Sequence, residues 1–220
     1  MKTFSKFALY VILVSLTAIG YSCKEGDDDN NNGNDDKTSV EFEHGKHSYL
    51  IVKELETWVA AAADAASQGG YLVEIDDQAE QDAVYQAIVK SGISSSYVKV
   101  NDGGGSAYIW IGATDRYGEG AWVWNGANKS GTLPMFWFGD NTGSAVAKAY
   151  VNWGGKAAGK FNEPDNFTDA QYSPKGQNAA AIGLAKWPAG SSSPLGVAGE
   201  WNDIAESNKL YYIIEFDTTK

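Results

Sequence analysis

The chain opens on a basic head, Lys2 and Lys6, followed by an apolar run from Phe7 to Ile19 broken only by Ser15 and Thr17. That run is shorter than the roughly twenty residues a membrane-spanning helix needs. A basic head with a short apolar body reads instead as a secretory signal peptide. From Lys24 to about Thr38 the sequence runs Lys24-Glu25-Gly26-Asp27-Asp28-Asp29 and then mostly Asn, Gly and Asp, with almost no apolar position; such a stretch cannot bury a core and predicts a solvated tether. Periodic patterning then begins. Tyr49 to Val52 predicts a short strand, and Thr57 to Gln68 a helix with Trp58, Ala61, Ala62 and Ala65 on one face and Gly69-Gly70 as its stop. Tyr71 to Ile75 alternates as a strand. Asp77-x-x-Glu80 resembles a capping box opening a second helix, whose buried stripe is Val84, Ala87 and Ile88 and which ends near Ser91-Gly92. Tyr108 to Ile111 is an apolar strand ended by Gly112, and Trp122 and Trp124 share one face of the next. A long Gly/Asn/Ser-rich region with few regular elements follows to Gly199, and Leu210 to Phe216 closes the chain as a strand. Two early helices, strands around them and one oversized loop region predict an α+β domain over residues 40–220. Loops of that length inside a domain are usually functional.

Composition narrows the function. At 220 residues the chain accommodates one full-sized domain plus an export segment, and 43% hydrophobic with 13% aromatic content suits a packed core. A net charge of -11 repels phosphate and argues against a nucleic-acid partner. No period of 20–50 residues recurs, which excludes a solenoid or propeller. Enzyme chemistry finds no support: His44 and His47 precede the first predicted strand, and no phosphate loop, zinc spacing or Gly-x-Ser-x-Gly elbow is present. The single cysteine rules out an intramolecular disulfide.

That cysteine, Cys23, stands at the end of the apolar run in Gly20-Tyr21-Ser22-Cys23. The arrangement resembles a bacterial lipoprotein cleavage site, although Gly20 and Tyr21 depart from the usual Leu and small residue. The resemblance implies a leader over 1–22, a lipidated Cys23, a tether over 23–39 and attachment to the outer membrane. The alternative is an ordinary signal peptide with a free cysteine nearby. The acidic residues after Cys23 are open to two readings: a solubilising spacer, or a signal resembling those that display lipoproteins on the cell surface.

Thr57-Trp58 and Gly69-Gly70-Tyr71-Leu72, then Trp110-Ile111-Gly112, Trp122-x-Trp124-Asn125-Gly126, Asn152-Trp153, Glu163-Pro164-Asp165, Trp201-Asn202-Asp203 and Glu215-Phe216 follow one another between about Tyr49 and Phe216. In this order they resemble the C-type lectin-like family. The positions of the family's two disulfides fall on Ala65 and Ile214, and on Ala179 and Ala205, so packing replaces each cross-link. The segments 127–150 and 154–162 are longer than in compact animal members and resemble the bacterial branch.

The resemblance implies a calcium site with Glu163, Asp165, Gln177, Asn202 and Asp203 as ligands, Pro164 matching the family's cis proline. Calcium takes six to eight oxygens. Gln177 replaces a usual glutamate, and Asp165 a common asparagine, so three carboxylates remain. In sugar-binding members two neighbouring hydroxyls complete the shell; Glu163, Asp165, Asn202 and Asp203 would contact them. Glu-Pro-Asp is a hybrid of the mannose-type and galactose-type motifs and names no sugar. Phe136, Trp137 and Trp187 are aromatic candidates either for stacking on a sugar face or for the core. The resemblance thus implies a calcium-dependent carbohydrate-binding module, against the alternative of a metal-independent protein-binding adhesin on the same scaffold, with the Glu163-Pro164-Asp165 loop holding no metal.

Overall fold

The computed structural model describes residues 39–217. The leader over 1–22, Cys23 and the tether up to residue 38 lie outside the described residues. Both expected helices form, and local chemistry sets their ends. The first, α1 (Trp58–Ser67), is capped by Thr57, whose side chain accepts the Ala60 N–H at 3.3 Å. The second, α2 (Gln78–Lys90), is capped by Asp77, which accepts the Glu80 N–H at 2.9 Å. The Glu80 carboxylate reaches back to the N–H of Asp76, one residue before the cap.

The strands are β1 (Ser39–His44), β2 (His47–Glu56), β3 (Tyr71–Leu72), β4 (Tyr108–Thr114), β5 (Ala121–Trp124), β6 (Met135–Phe138), β7 (Ser144–Ala145), β8 (Ala179–Gly183), β9 (Trp201–Ile204) and β10 (Leu210–Asp217). They form one sheet in the order β1-β2-β10-β4-β5-β6-β7, with β3 beside β10 and the β8–β9 pair beside β4. The α+β assignment holds.

Several boundaries differ from the expectation. The first predicted strand is the middle of β2, and β1 pairs with it in a hairpin turned at Gly45, so His44 and His47 end and begin strands rather than preceding them. Gly112 does not end β4: a Cβ there would stand 2.5 Å from the Leu72 carbonyl oxygen, and the missing side chain lets the Gly112 N–H reach Val73 O at 2.8 Å. The strand expected over Tyr71–Ile75 stops at Leu72, and the Glu74 N–H goes to the Glu215 carboxylate at 3.0 Å instead of to a ladder. The region after Trp124 also contains β6, β7, β8 and two short 3-10 turns. Ala179–Gly183 is buried at every position, so it carries no alternation, and alanine is a poor strand former.

The sheet is covered on both faces. One face packs Trp58, Ala61, Ala62 and Ala65 of α1 against Trp110, Tyr212 and Ile214. The other packs Val84, Ala87 and Ile88 of α2 with Ile109, Ile111, Ile213 and a group of tryptophans, Trp122, Trp124, Trp153 and Trp201. Indole donors fasten each helix to the sheet: Trp58 Nε1 donates to Ile111 O at 2.8 Å, and Trp201 Nε1 to Gln81 Oε1 at 2.7 Å. Ala65 and Ile214 share one buried cluster. Ala179 stands opposite Ile204, the neighbour of Ala205. Among the described residues no helix is long and apolar enough to cross a membrane.

Candidate functional site

Strand β9 runs antiparallel to β8, with Ala181 opposite Asn202 and Ala180 opposite Asp203. This register sets two polar side chains at the floor of the loop region. Asp203 is fully buried and ties down the loop above it: Oδ1 accepts the Asp165 N–H at 3.1 Å and Oδ2 the Asn166 N–H at 2.8 Å. The Glu163–Pro164 peptide is cis. Glu163 is buried, and its Oε1 accepts Trp187 Nε1–H at 2.7 Å while its Oε2 is enclosed with no hydrogen-bond partner. Carboxylate oxygens of Glu163, Asp165 and Asp203 lie within 4.8 Å of one another.

Asn202 donates from Nδ2 to the Tyr108 hydroxyl at 3.0 Å, and that hydroxyl donates to Gly103 O at 2.7 Å. The amide is thereby oriented, with Oδ1 as its acceptor. Gln177 is held at both ends: Oε1 accepts the Phe167 N–H at 2.6 Å and Nε2 donates to Asp102 O at 3.0 Å. Glu163, Asp165, Gln177 and Asn202 line one cavity of about 210 Å³, together with Asp102, Phe167, Trp187, Pro188 and Leu195. Asp203 joins this group through the carboxylate cluster. The five residues named from the sequence are therefore brought together, although Gln177 also serves as a brace.

The electrostatics follow from burial. Glu163 is pushed up to about 10, first by desolvation and then by the Asp203 and Asp165 charges beside it. Asp203 is raised well above the usual carboxylate range by burial and by Asp165, against the pull of its backbone donors. Partial desolvation also raises Asp165. An enclosed oxygen such as Glu163 Oε2 is satisfied only by a proton shared with Asp203 or by a cation. The donor set is all oxygen, which suits a hard cation such as calcium rather than a softer metal.

The aromatic candidates take the core role. Phe136, Trp137 and Trp187 are all buried, so none offers a ring face for stacking. Trp187 serves through its indole N–H on Glu163. The exposed rings nearby are Phe167, which lines the cavity, and Tyr172. The sequence gives no periodic signal for either, because both sit in irregular backbone.

Residues 54–213 match the Lectin C-type domain family. The chain belongs to the C-type lectin domain family. It is a family of binding domains rather than of enzymes. The fold of this C-type lectin domain is also that of human lithostathine, at 20% identity and a TM-score of 0.50 over 82% of this chain and 89% of that one. The mouse scavenger receptor C-type lectin carbohydrate-recognition domain aligns at 20% identity, with a TM-score of 0.49 over 82% of this chain and 95% of that one. In sequence, halomucin of Haloquadratum walsbyi is 30% identical over 110 residues, or 48% of this chain, which spans only 1% of that much longer protein.

Proposed function

We propose that this C-type lectin domain binds carbohydrate through a calcium ion held by Glu163, Asp165, Asn202 and Asp203. The observation that carries the proposal is Glu163 Oε2, a buried acceptor without a donor, within a cluster of three carboxylates at the wall of an open cavity. Calcium would supply the charge this cluster lacks and a coordination site for two adjacent sugar hydroxyls. The chain's own residues do the rest. Carboxylates accept hydrogen bonds from the hydroxyls, and the Asn202 amide oxygen adds a neutral acceptor. Gln177 Oε1 has a second lone pair beyond the one used by Phe167, so it is available as a fifth oxygen. Phe167, half exposed on the rim, is the ring positioned to cover an apolar sugar face. The domain would act as the outward end of a lipoprotein held to the outer membrane through Cys23, on the cell surface.

Melting the protein in calcium and in chelator, followed by a glycan array under both conditions, tests this reading. Calcium-dependent stabilisation with calcium-dependent glycan binding is expected. Identical melting in both conditions would transfer the function to a metal-independent protein-binding adhesin.

A further inference from the structure

The two histidines of the chain, His44 and His47, stand at the turn of the β1–β2 hairpin and take no part in the lectin cavity. The sheet register explains what surrounds His47. It is the cross-strand partner of Asp217, while Glu215, two residues earlier on β10, projects to the same face as Asp217. On the other side of β10, Tyr71 of β3 stands opposite Glu215. Three adjacent strands thus deliver four polar side chains to one spot.

The distances are those of a ligand set. His47 Nδ1 lies 2.9 Å from Glu215 Oε1 and 3.3 Å from Asp217 Oδ1. Zinc ligands about 2.0–2.1 Å from a tetrahedral metal are separated from each other by about 3.3 Å, so little movement would be needed. The Tyr71 hydroxyl stands 3.1 Å from Glu215 Oε1 and 2.8 Å from Asp217 Oδ1, and the Glu74 N–H holds Glu215 Oε2 at 3.0 Å. These outer contacts fix both carboxylates, as hydrogen bonds to ligating side chains do around metals.

The 2.9 and 3.3 Å contacts are also within ion-pair distance, and the enclosed His47 Nδ1 is aligned for a hydrogen bond with neither carboxylate. The neighbouring cavity, about 310 Å³, is walled by Glu74, Asp76, Asp77, Glu80 and Glu215, with Lys46 and the histidines as its only basic residues.

We propose that His47, Glu215 and Asp217 form a binding site for a divalent first-row transition metal of the zinc class, sharing no residue with the lectin cavity. One imidazole nitrogen and two carboxylate oxygens suit zinc, and they supply too few oxygens for calcium. A water molecule would take the fourth position, on the side of the acidic cavity.

The test is titration of the chelator-treated full chain with zinc chloride, followed by calorimetry, with excess calcium present throughout. One zinc per chain is expected for the wild type, with cobalt giving the intense visible absorption of a tetrahedral site. His47→Ala and His47→Gln should each weaken zinc binding by more than about tenfold, and Tyr71→Phe by about tenfold. The glutamine variant preserves a polar side chain at a strand end, so its circular dichroism and calcium-dependent melting should match the wild type. That second readout keeps failure of the zinc site distinct from failure of the lectin reading. Absence of zinc binding by the wild type, binding by both His47 variants as tight as wild type, or loss of binding in His44→Ala but not in His47→Gln would each overturn the proposal.

Discussion

Replacing Glu163 by glutamine separates the proton and the cation as occupants of the lectin site. In the metal-free protein Glu163 holds a proton up to about pH 10, because burial and the Asp203 and Asp165 charges oppose its ionisation. In the unfolded chain it loses that proton near pH 4.5. The native state therefore binds more protons between those values, and stability falls as pH rises through that window. At pH 7 the penalty is on the order of 3 kcal/mol, at about 1.4 kcal/mol per unit. Glutamine removes it while keeping the acceptor for Trp187 Nε1 and placing an N–H₂ where the shared proton stood. In chelator, Glu163→Gln should thus be more stable than wild type by about 2–3 kcal/mol, or about 4–12 °C in melting temperature.

Calcium closes the gap. At a hundredfold excess over its dissociation constant it should stabilise the wild type by about 2.7 kcal/mol, roughly 5–11 °C, and shift Glu163→Gln hardly at all. Differential scanning fluorimetry of both proteins in calcium and in chelator, at pH 5, 7 and 9, is sufficient. Glu74, Asp115 and Glu215 are also raised by burial. The difference in pH slope between the two proteins, rather than either slope alone, therefore reports on Glu163 and the Asp203 carboxyl that shares its proton. A variant that melts below wild type in chelator, or that retains the calcium shift, would refute the account of Glu163 as an orphaned ligand.

Other changes probe other parts of the molecule. Trp187→Phe replaces the buried indole by a smaller ring and removes the donor on Glu163 Oε1, and should lower stability by about 1–3 kcal/mol in chelator, with weaker calcium affinity by titration. Gly112→Ala forces a Cβ to 2.5 Å from Leu72 O and should destabilise by about 1–3 kcal/mol in denaturant melts, where a loss below about 0.5 kcal/mol would show that the strands can part there. Cys23→Ser should move the protein from membrane to soluble fractions, and protease shaving of intact wild-type cells should cleave the domain if it is displayed outside.

Much of the fold was legible in the sequence because the helices carry both caps and stripes, and because Trp, Gly-Gly and Trp-Ile-Gly mark close packing. What escaped were elements whose signal is not periodic. Strand β8 is Ala-Ala-Ala-Ile-Gly and buried on both faces, so neither alternation nor propensity betrays it. Gly112 read as a terminator, whereas its role is the contact with the Leu72 backbone, a tertiary fact. In the site, the acids and amides were found through their order along the chain. The occupation of Gln177 by Phe167 and Asp102, and the burial of Trp187 against Glu163, depend on loop conformation that no spacing encodes. His47 and Asp217 are 170 positions apart, and only the β2–β10 register makes them neighbours.

The loop region also shows how far calcium could matter to the fold. Glu200 is buried and its carboxylate receives the N–H groups of Gly155, Ala157 and Val197 at 2.7–3.0 Å. Asn162 Nδ2 donates to Leu195 O at 2.8 Å, joining two distant stretches of the same region. Trp153 and Phe136 are packed into the tryptophan group beneath them. None of these braces involves the carboxylate cluster. The part of the loop that depends on the cluster is the apex, where Asp203 holds the N–H groups of Asp165 and Asn166. Under the proposed calcium binding, removing the cation would return the apex to a proton-sharing state and leave the scaffold folded, without any disulfide to hold it.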